Sequence, residues 1–455
     1  MEMVLEFLRD VLSQPALLIG IMSCIGLIAL KRPFHKVMTG TLKPILGYLM
    51  LAAGAGVIVN NLDPLGKMIE HGFHITGVVP NNEAIVAVAQ KVLGVETMSI
   101  LVVGLLMNLC IARFTKFKYV FLTGHHSLFM ACLMSAVLGT AGLSGMELIL
   151  VGGFLMGAWS AISPAIGQSY TSKVTDGDEI AIGHFGSLGY YLSAWVAKYV
   201  GKADDSTEDI EIPEKWGFLR DSTLSTALTM IIFYLIAAFA AGSEFVATLS
   251  GDMSPYLYAV MSAMNFAVGV TIVYSGVRMI LGDLIPAFQG IATKIIPNAI
   301  PAVDCAVFFT YAPTAVVLGF ISSFIGGIIG MLILGAVGGV LIIPGLVPHF
   351  FCGATAGIYG NATGGRRGAA VGAFLNGLAI TFLPALALPV LGQLGFQNTT
   401  FGDADFAVMG LVLGHAFEWI GMAGIYGIVA IAALVLIIPN FIKTKGKVIN
   451  YVEEE

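Results

Sequence analysis

The chain has 455 residues, of which 57% are hydrophobic and only 11% charged. Soluble domains carry roughly 25% charged residues, so too little polar surface is present to cover a soluble body of this length. The net charge of −6 is too small, and of the wrong sign, for a nucleic-acid partner.

Residues 1–10 carry Glu2, Glu6, Arg9 and Asp10. They lack the basic start and small-residue cleavage site of a secretory signal, so they read as mature protein. A helix needs about 20 mostly apolar residues to cross the hydrocarbon core. Segments of that kind lie at 12–30, 44–60, 97–112, 119–140, 147–163, 223–242, 257–277, 303–321, 323–343, 368–391 and 420–442. The pair at 303–343 is one apolar run, split at Ser322 and Ser323. Residues 61–96 and 283–302 are amphipathic and expected along the interface. Residues 180–200 are apolar yet begin and end on one predicted side, as a re-entrant hairpin does. Such backbone is tolerated only when buried in protein or lining a cavity. Residues 344–365, with Pro344, Pro348 and many glycines, share that character. The stretch 201–222 is strongly charged and expected to be a solvated cytoplasmic loop, a surface for a soluble partner. The fold class is therefore an all-α polytopic membrane protein of about eleven transmembrane helices with re-entrant hairpins, forming one integral unit over 1–455.

Placing the N-terminus outside puts every basic residue except Arg9, Lys67 and Lys91 on the cytoplasmic side, with the C-terminus also inside. A weak internal repeat is visible. Ile162-Ser163-Pro164 resembles Ile342-Ile343-Pro344, and transporter folds are often duplicated around a midplane site. The five cysteines form no CxxC pair, which argues against a disulfide framework or a zinc site. No phosphate loop, HExxH or GxSxG motif appears, so energy for accumulation comes from a gradient or another protein.

Polar groups at membrane depth are costly, roughly 2.5–3.5 kcal/mol for a central charge. The exceptions are therefore informative. Asp304 opens an apolar span, either as a helix-entry carboxylate favoured by the dipole or as an acceptor for ligand hydroxyls. Thr123-Gly124-His125-His126-Ser127 pairs two histidines beside a glycine; interfacial histidines are the plainer alternative. Gly183-His184-Phe185-Gly186 lies inside the first proposed hairpin, and Pro80-Asn81-Asn82-Glu83 is either a further polar island or a turn and helix cap.

These segments carry a resemblance to a known family. Leu122–His125 (LTGH), Val174–Gly177 (VTDG), Ile182–His184 (IGH), Ala302–Cys305 (AVDC), Ala312-Pro313 and Leu341–Gly345 (LIIPG) occur in the order found in the ascorbate-specific EIIC component of the bacterial phosphotransferase system. The resemblance implies a homodimer in the cytoplasmic (inner) membrane, surrounded by lipid. Each protomer then has a substrate-binding core interleaved with a dimerisation domain. The core moves in elevator fashion and presents L-ascorbate to a separate EIIB protein carrying a phosphocysteine, supplied in turn by EIIA, HPr and enzyme I. It implies no cofactor, no metal and no catalytic residue in this chain. The family's sugar ligands fall at Asn82, Glu83, His125, His126, Ser127, Leu128, Phe129, His184, Phe185 and Asp304. The family pattern has glutamine at the positions of Phe129 and Phe185, and tyrosine at Glu83. Exchanging two amides for phenyl rings removes hydrogen-bonding groups, and sites built to bond a hydroxyl discriminate strongly. A related acid or polyol is the alternative cargo.

A different class is an ion-coupled secondary transporter, with Asp304 and the histidines as a proton relay. A membrane scaffold without transport would have no need of polar groups in re-entrant segments.

Overall fold

A computed structural model of the chain describes residues 11, 14–74, 77–80, 82–177, 179–210, 222–392 and 399–441. Helices dominate because long apolar stretches satisfy their backbone groups internally. In chain order they are α1 (Pro15–Ala29), α2 (Phe34–Gly72), α3 (Asn82–Phe114), α4 (Gly124–Thr140), α5 (Gly145–Thr175), α6 (Ser187–Val200), α7 (Ser222–Ala241), α8 (Ser243–Ser250), α9 (Pro255–Lys294), α10 (Pro313–Ala336), α11 (Leu346–Gly392), α12 (Ala404–Ile420) and α13 (Met422–Phe441). Among the described residues, seven helices are long and apolar enough to cross a membrane, or eight if the bent pair α7–α8 is one span.

The expected spans are redistributed in specific places. Segment 119–140 is a short strand followed by α4, which is only 17 residues long and buried along nearly its whole length. The pair at 303–343 is one helix, α10, preceded by a strand and a 3₁₀ turn at Cys305–Thr310. Ser323 does not interrupt it, because its hydroxyl pairs with His349 Nδ1 at 2.9 Å. Segment 223–242 turns by 117° into α8. Segment 368–391 is the second half of α11, whose helical geometry breaks at Gly364 and Gly365. Helix α12 was not expected at all. Residues 61–72, 82–96 and 283–294 are the ends of long helices rather than separate interfacial pieces. The proposed repeat has no counterpart, since Pro164 lies inside α5 whereas Pro344 precedes α11.

Among the described residues, five short strands accompany the helices: β1 (Val79–Pro80), β2 (Tyr119–Phe121), β3 (Ala181–Ile182), β4 (Ile300–Val303) and β5 (Thr399–Thr400). β1 pairs with β5, and β2, β4 and β3 form a parallel three-stranded sheet in that order. Phe121 and Ala181 both face Ala302 in register. The strand residues are apolar and largely buried, as a parallel sheet covered on both faces requires.

The region expected as a hairpin at 180–200 is thus a strand, a turn and helix α6. The charged stretch 201–222 is described over 201–210 and over Ser222, where α7 begins; 211–221 lie outside the described residues. Its described part is more than a solvated loop. Thr207 is buried, and the Glu208 carboxylate accepts from Thr314 N and Ala315 N, capping α10. Asp205 receives Arg366 through both backbone N–H and guanidinium, at 2.7 and 2.6 Å. The strap therefore closes over the break in α11. At Gly365, φ is +59° and a Cβ would lie 2.3 Å from two strap carbonyls, which only glycine accommodates.

Two packing groups emerge. Helices α1, α2, α7, α8 and α9 pack mainly on one another, while α3–α6 and α10–α13 pack around the sheet.

Candidate functional site

Parallel strands deliver their carboxyl ends to one edge. Here β2, β3 and β4 run directly into Thr123-Gly124-His125-His126, Gly183-His184-Phe185 and Asp304-Cys305, each at the start of a helical segment. The three polar islands of the sequence are thereby gathered at one place. Gly183 is required by the close approach, since a Cβ there would sit 2.4 Å from Ala302 O.

Asp304 fills the first of the roles considered for it, as a cap, and turns its second oxygen to His125. Its Oδ1 accepts Ala306 N–H at 3.0 Å, capping the 3₁₀ turn, and its Oδ2 lies 3.4 Å from His125 Nε2. Tyr48 of α2 approaches the other face of that imidazole, hydroxyl to Nδ1 at 3.1 Å. Because a carboxylate has no proton to give, Nε2 of His125 carries one, and in the neutral ring Nδ1 then accepts from Tyr48. A pocket beside them is lined by Ile19, Tyr48, Leu122, Thr123, Val303, Asp304 and Val307. Thr123 Oγ1 is buried there without a hydrogen-bond partner.

His126 and His184 are buried with ring centroids 3.7 Å apart. Nδ1 of His126 accepts Phe185 N–H at 3.3 Å, and Nδ1 of His184 accepts Gly186 N–H at 3.2 Å. Backbone donors thus place the proton of each neutral ring on Nε2, leaving both rings as donors toward a ligand oxygen. Tyr190 strengthens this at His184, hydroxyl to Nδ1 at 2.8 Å.

A second carboxylate stands behind His184. Asp403 accepts from Asn82 Nδ2 at 2.6 Å and from Cys352 Sγ at 2.7 Å, and Asn82 Oδ1 in turn accepts Gly402 N–H. His184, Cys352 and Asp403 offer donor atoms within 4.8 Å of one another, a set of the kind that holds zinc. In the structure these groups are occupied by the hydrogen bonds just given. Asp405 fastens α6 to α12, accepting from Ser187 Oγ, Leu188 N and Trp159 Nε1.

Of the residues expected from sequence, the structure brings together His125, His126, His184 and Asp304, with Asn82 joined through Asp403. Ser127 is turned away, its hydroxyl donating to Thr123 O. Leu128 is half-buried against the apolar core. Phe129 and Phe185 belong to an aromatic wall: Phe185 stacks on Phe121 at 4.6 Å, and Phe129 meets Phe406 edge-on at 6.2 Å. The Phe129 ring also meets His125 and His126, with centroids 5.8 and 5.6 Å apart, and Phe185, fully buried, lies 6.1 Å from His126. Glu83 lies in the first turn of α3, and its side chain, like Asn81, lies outside the described residues. Sequence reasoning missed Tyr48, Tyr190, Cys352, Asp403 and Asp405. The two aspartates were findable, being carboxylates close before an apolar run.

A family model described as the sugar-specific permease component of the PTS system, EIIC-GAT, matches residues 10–405. The ascorbate-specific PTS system EIIC component of Mycoplasma pneumoniae is 28% identical over 417 residues, covering 78% of this chain. The chain spans 62% of that relative's length.

Proposed function

The chain belongs to the EIIC-GAT family of sugar-specific permease components of the PTS system, a family of multi-pass membrane transport proteins, and from that premise we propose that it takes up L-ascorbate or a closely related sugar acid. The observation that carries this reading is the convergence of Asp304, His125, His126 and His184 at the ends of three strands. Two imidazole donors suit the oxygens of an acidic ring, and the Asp304 carboxylate suits its hydroxyls. The relative's name supports ascorbate as the first candidate. The helices around the sheet are the transport core, and α1, α2 and α7–α9 form the dimerisation scaffold. The chain makes about eleven passes of a bacterial inner membrane. Its N-terminus lies outside and its C-terminus in the cytoplasm. The core moves past the scaffold in elevator fashion and offers the sugar to a phosphorylated EIIB protein, itself charged through EIIA, HPr and enzyme I. No bond is made or broken by this chain's own residues; they bind and orient the accepting hydroxyl.

The test is uptake of labelled ascorbate into vesicles bearing the chain. With phosphorylated EIIB inside, the label accumulates as sugar phosphate and an uncoupler has no effect. Accumulation of unmodified sugar that an uncoupler abolishes would instead establish an ion-coupled carrier.

A further inference from the structure

The site described above lies almost wholly in the group of helices around the sheet. Tyr48 is the exception. It sits on α2, in the other group, and its hydroxyl reaches across the seam to His125 Nδ1. The pocket at that point is walled from both sides, by Ile19 and Tyr48 on one and by Leu122, Thr123, Val303 and Asp304 on the other. Among the described residues each group is knitted internally by hydrogen bonds, such as Tyr234 to Asn61 O in one and Thr171 to Tyr359 in the other, and the Tyr48–His125 bond joins the two.

In the neutral imidazole His125 Nδ1 is an acceptor, because Nε2 donates to Asp304. A ligand hydroxyl donates to Nδ1 as well as the Tyr48 phenol does. It also finds Thr123 Oγ1 beside it, buried at 1% exposure and unpaired. We propose that Tyr48 is a latch: in the unloaded protein it takes the place of a substrate hydroxyl on His125 and ties the binding group to the scaffold. Entry of a polyhydroxylated ligand exchanges one O–H···N bond for another and frees the seam. Occupancy and relative movement of the two groups are coupled by competition for a single lone pair. This rests on the reading of the site as one that takes a sugar acid.

The experiment measures the distance between spin labels at positions 36 on α2 and 199 on α6, both exposed. The full chain is used in lipid nanodiscs, with Cys24 and Cys110 replaced because the other three cysteines are buried. The wild-type background without ligand gives one dominant distance, and saturating L-ascorbate populates a second. Tyr48→Phe, which keeps the ring and removes only the hydroxyl, shows that second distance without ligand. Its population rises about two- to tenfold, the equilibrium worth of one hydrogen bond. Thr123→Val, altered in the same pocket wall but not in the tie, keeps the wild-type ligand-free distribution. A Tyr48→Phe distribution identical to wild type overturns the latch. A shifted Tyr48→Phe with no response of wild type to ascorbate supports the latch and counts against ascorbate as cargo.

Discussion

Of the phenyl rings at 129 and 185, which stand where the resembled family has glutamine, the first packs against His125 and His126 and the second is sealed in the aromatic wall behind them. Phe185 is fully buried and stacked on Phe121. An amide at that position would lose its water and find an aromatic wall, and an unpaired buried polar group costs roughly 1–3 kcal/mol. Phe185→Gln is therefore expected to lower thermal stability in detergent without improving ligand affinity, which differential scanning fluorimetry and calorimetry on one preparation would read together. Tyr190 makes a contrasting case. Its hydroxyl supports His184 from the side opposite a ligand. Tyr190→Phe should weaken ascorbate binding about three- to tenfold through a less firmly held imidazole, with the fold retained. An unchanged affinity would show that the Gly186 N–H alone orients the ring.

At the level of elements, what the sequence revealed was the polar islands and most of the long helices. The expense of hydrophilic groups in oil picked out His125, His184 and Asp304 before any geometry was available. What hydropathy could not show was the sheet that unites them. Tyr119–Phe121, Ala181–Ile182 and Ile300–Val303 are apolar runs in an apolar chain, so they offer no contrast with the helices around them. Asp403 and Asp405 gave no such signal, because they close a stretch, 392–405, whose polar residues and glycines read as a loop. The sheet makes its own prediction. Gly183→Ala drives a methyl against Ala302 O, 2.4 Å away, and must part β3 from β4. Loss of binding together with loss of stability is expected, because the same two strands carry His184 and Asp304. Glu208 offers a milder test: Glu208→Ala removes the cap on α10, worth about 0.5–2 kcal/mol, and should lower the melting temperature while leaving ligand affinity unchanged.

On the scale of the whole molecule, two groups of helices share a seam, and the polar cluster sits on one side of it within reach of the other. That arrangement is the one the proposed carrier requires, with a binding half able to move past a fixed half. Everything in the account depends on the gathered side chains being a compartment for a wet ligand. The most direct test is a calorimetric titration of the purified chain with L-ascorbate, run beside Asp304→Asn, which retains shape and a capping oxygen but not the charge. The account predicts saturable binding to the native chain and an affinity about ten- to a hundredfold lower in the variant, as loss of a charge-assisted hydrogen bond implies. Equal binding by the two proteins would contradict it.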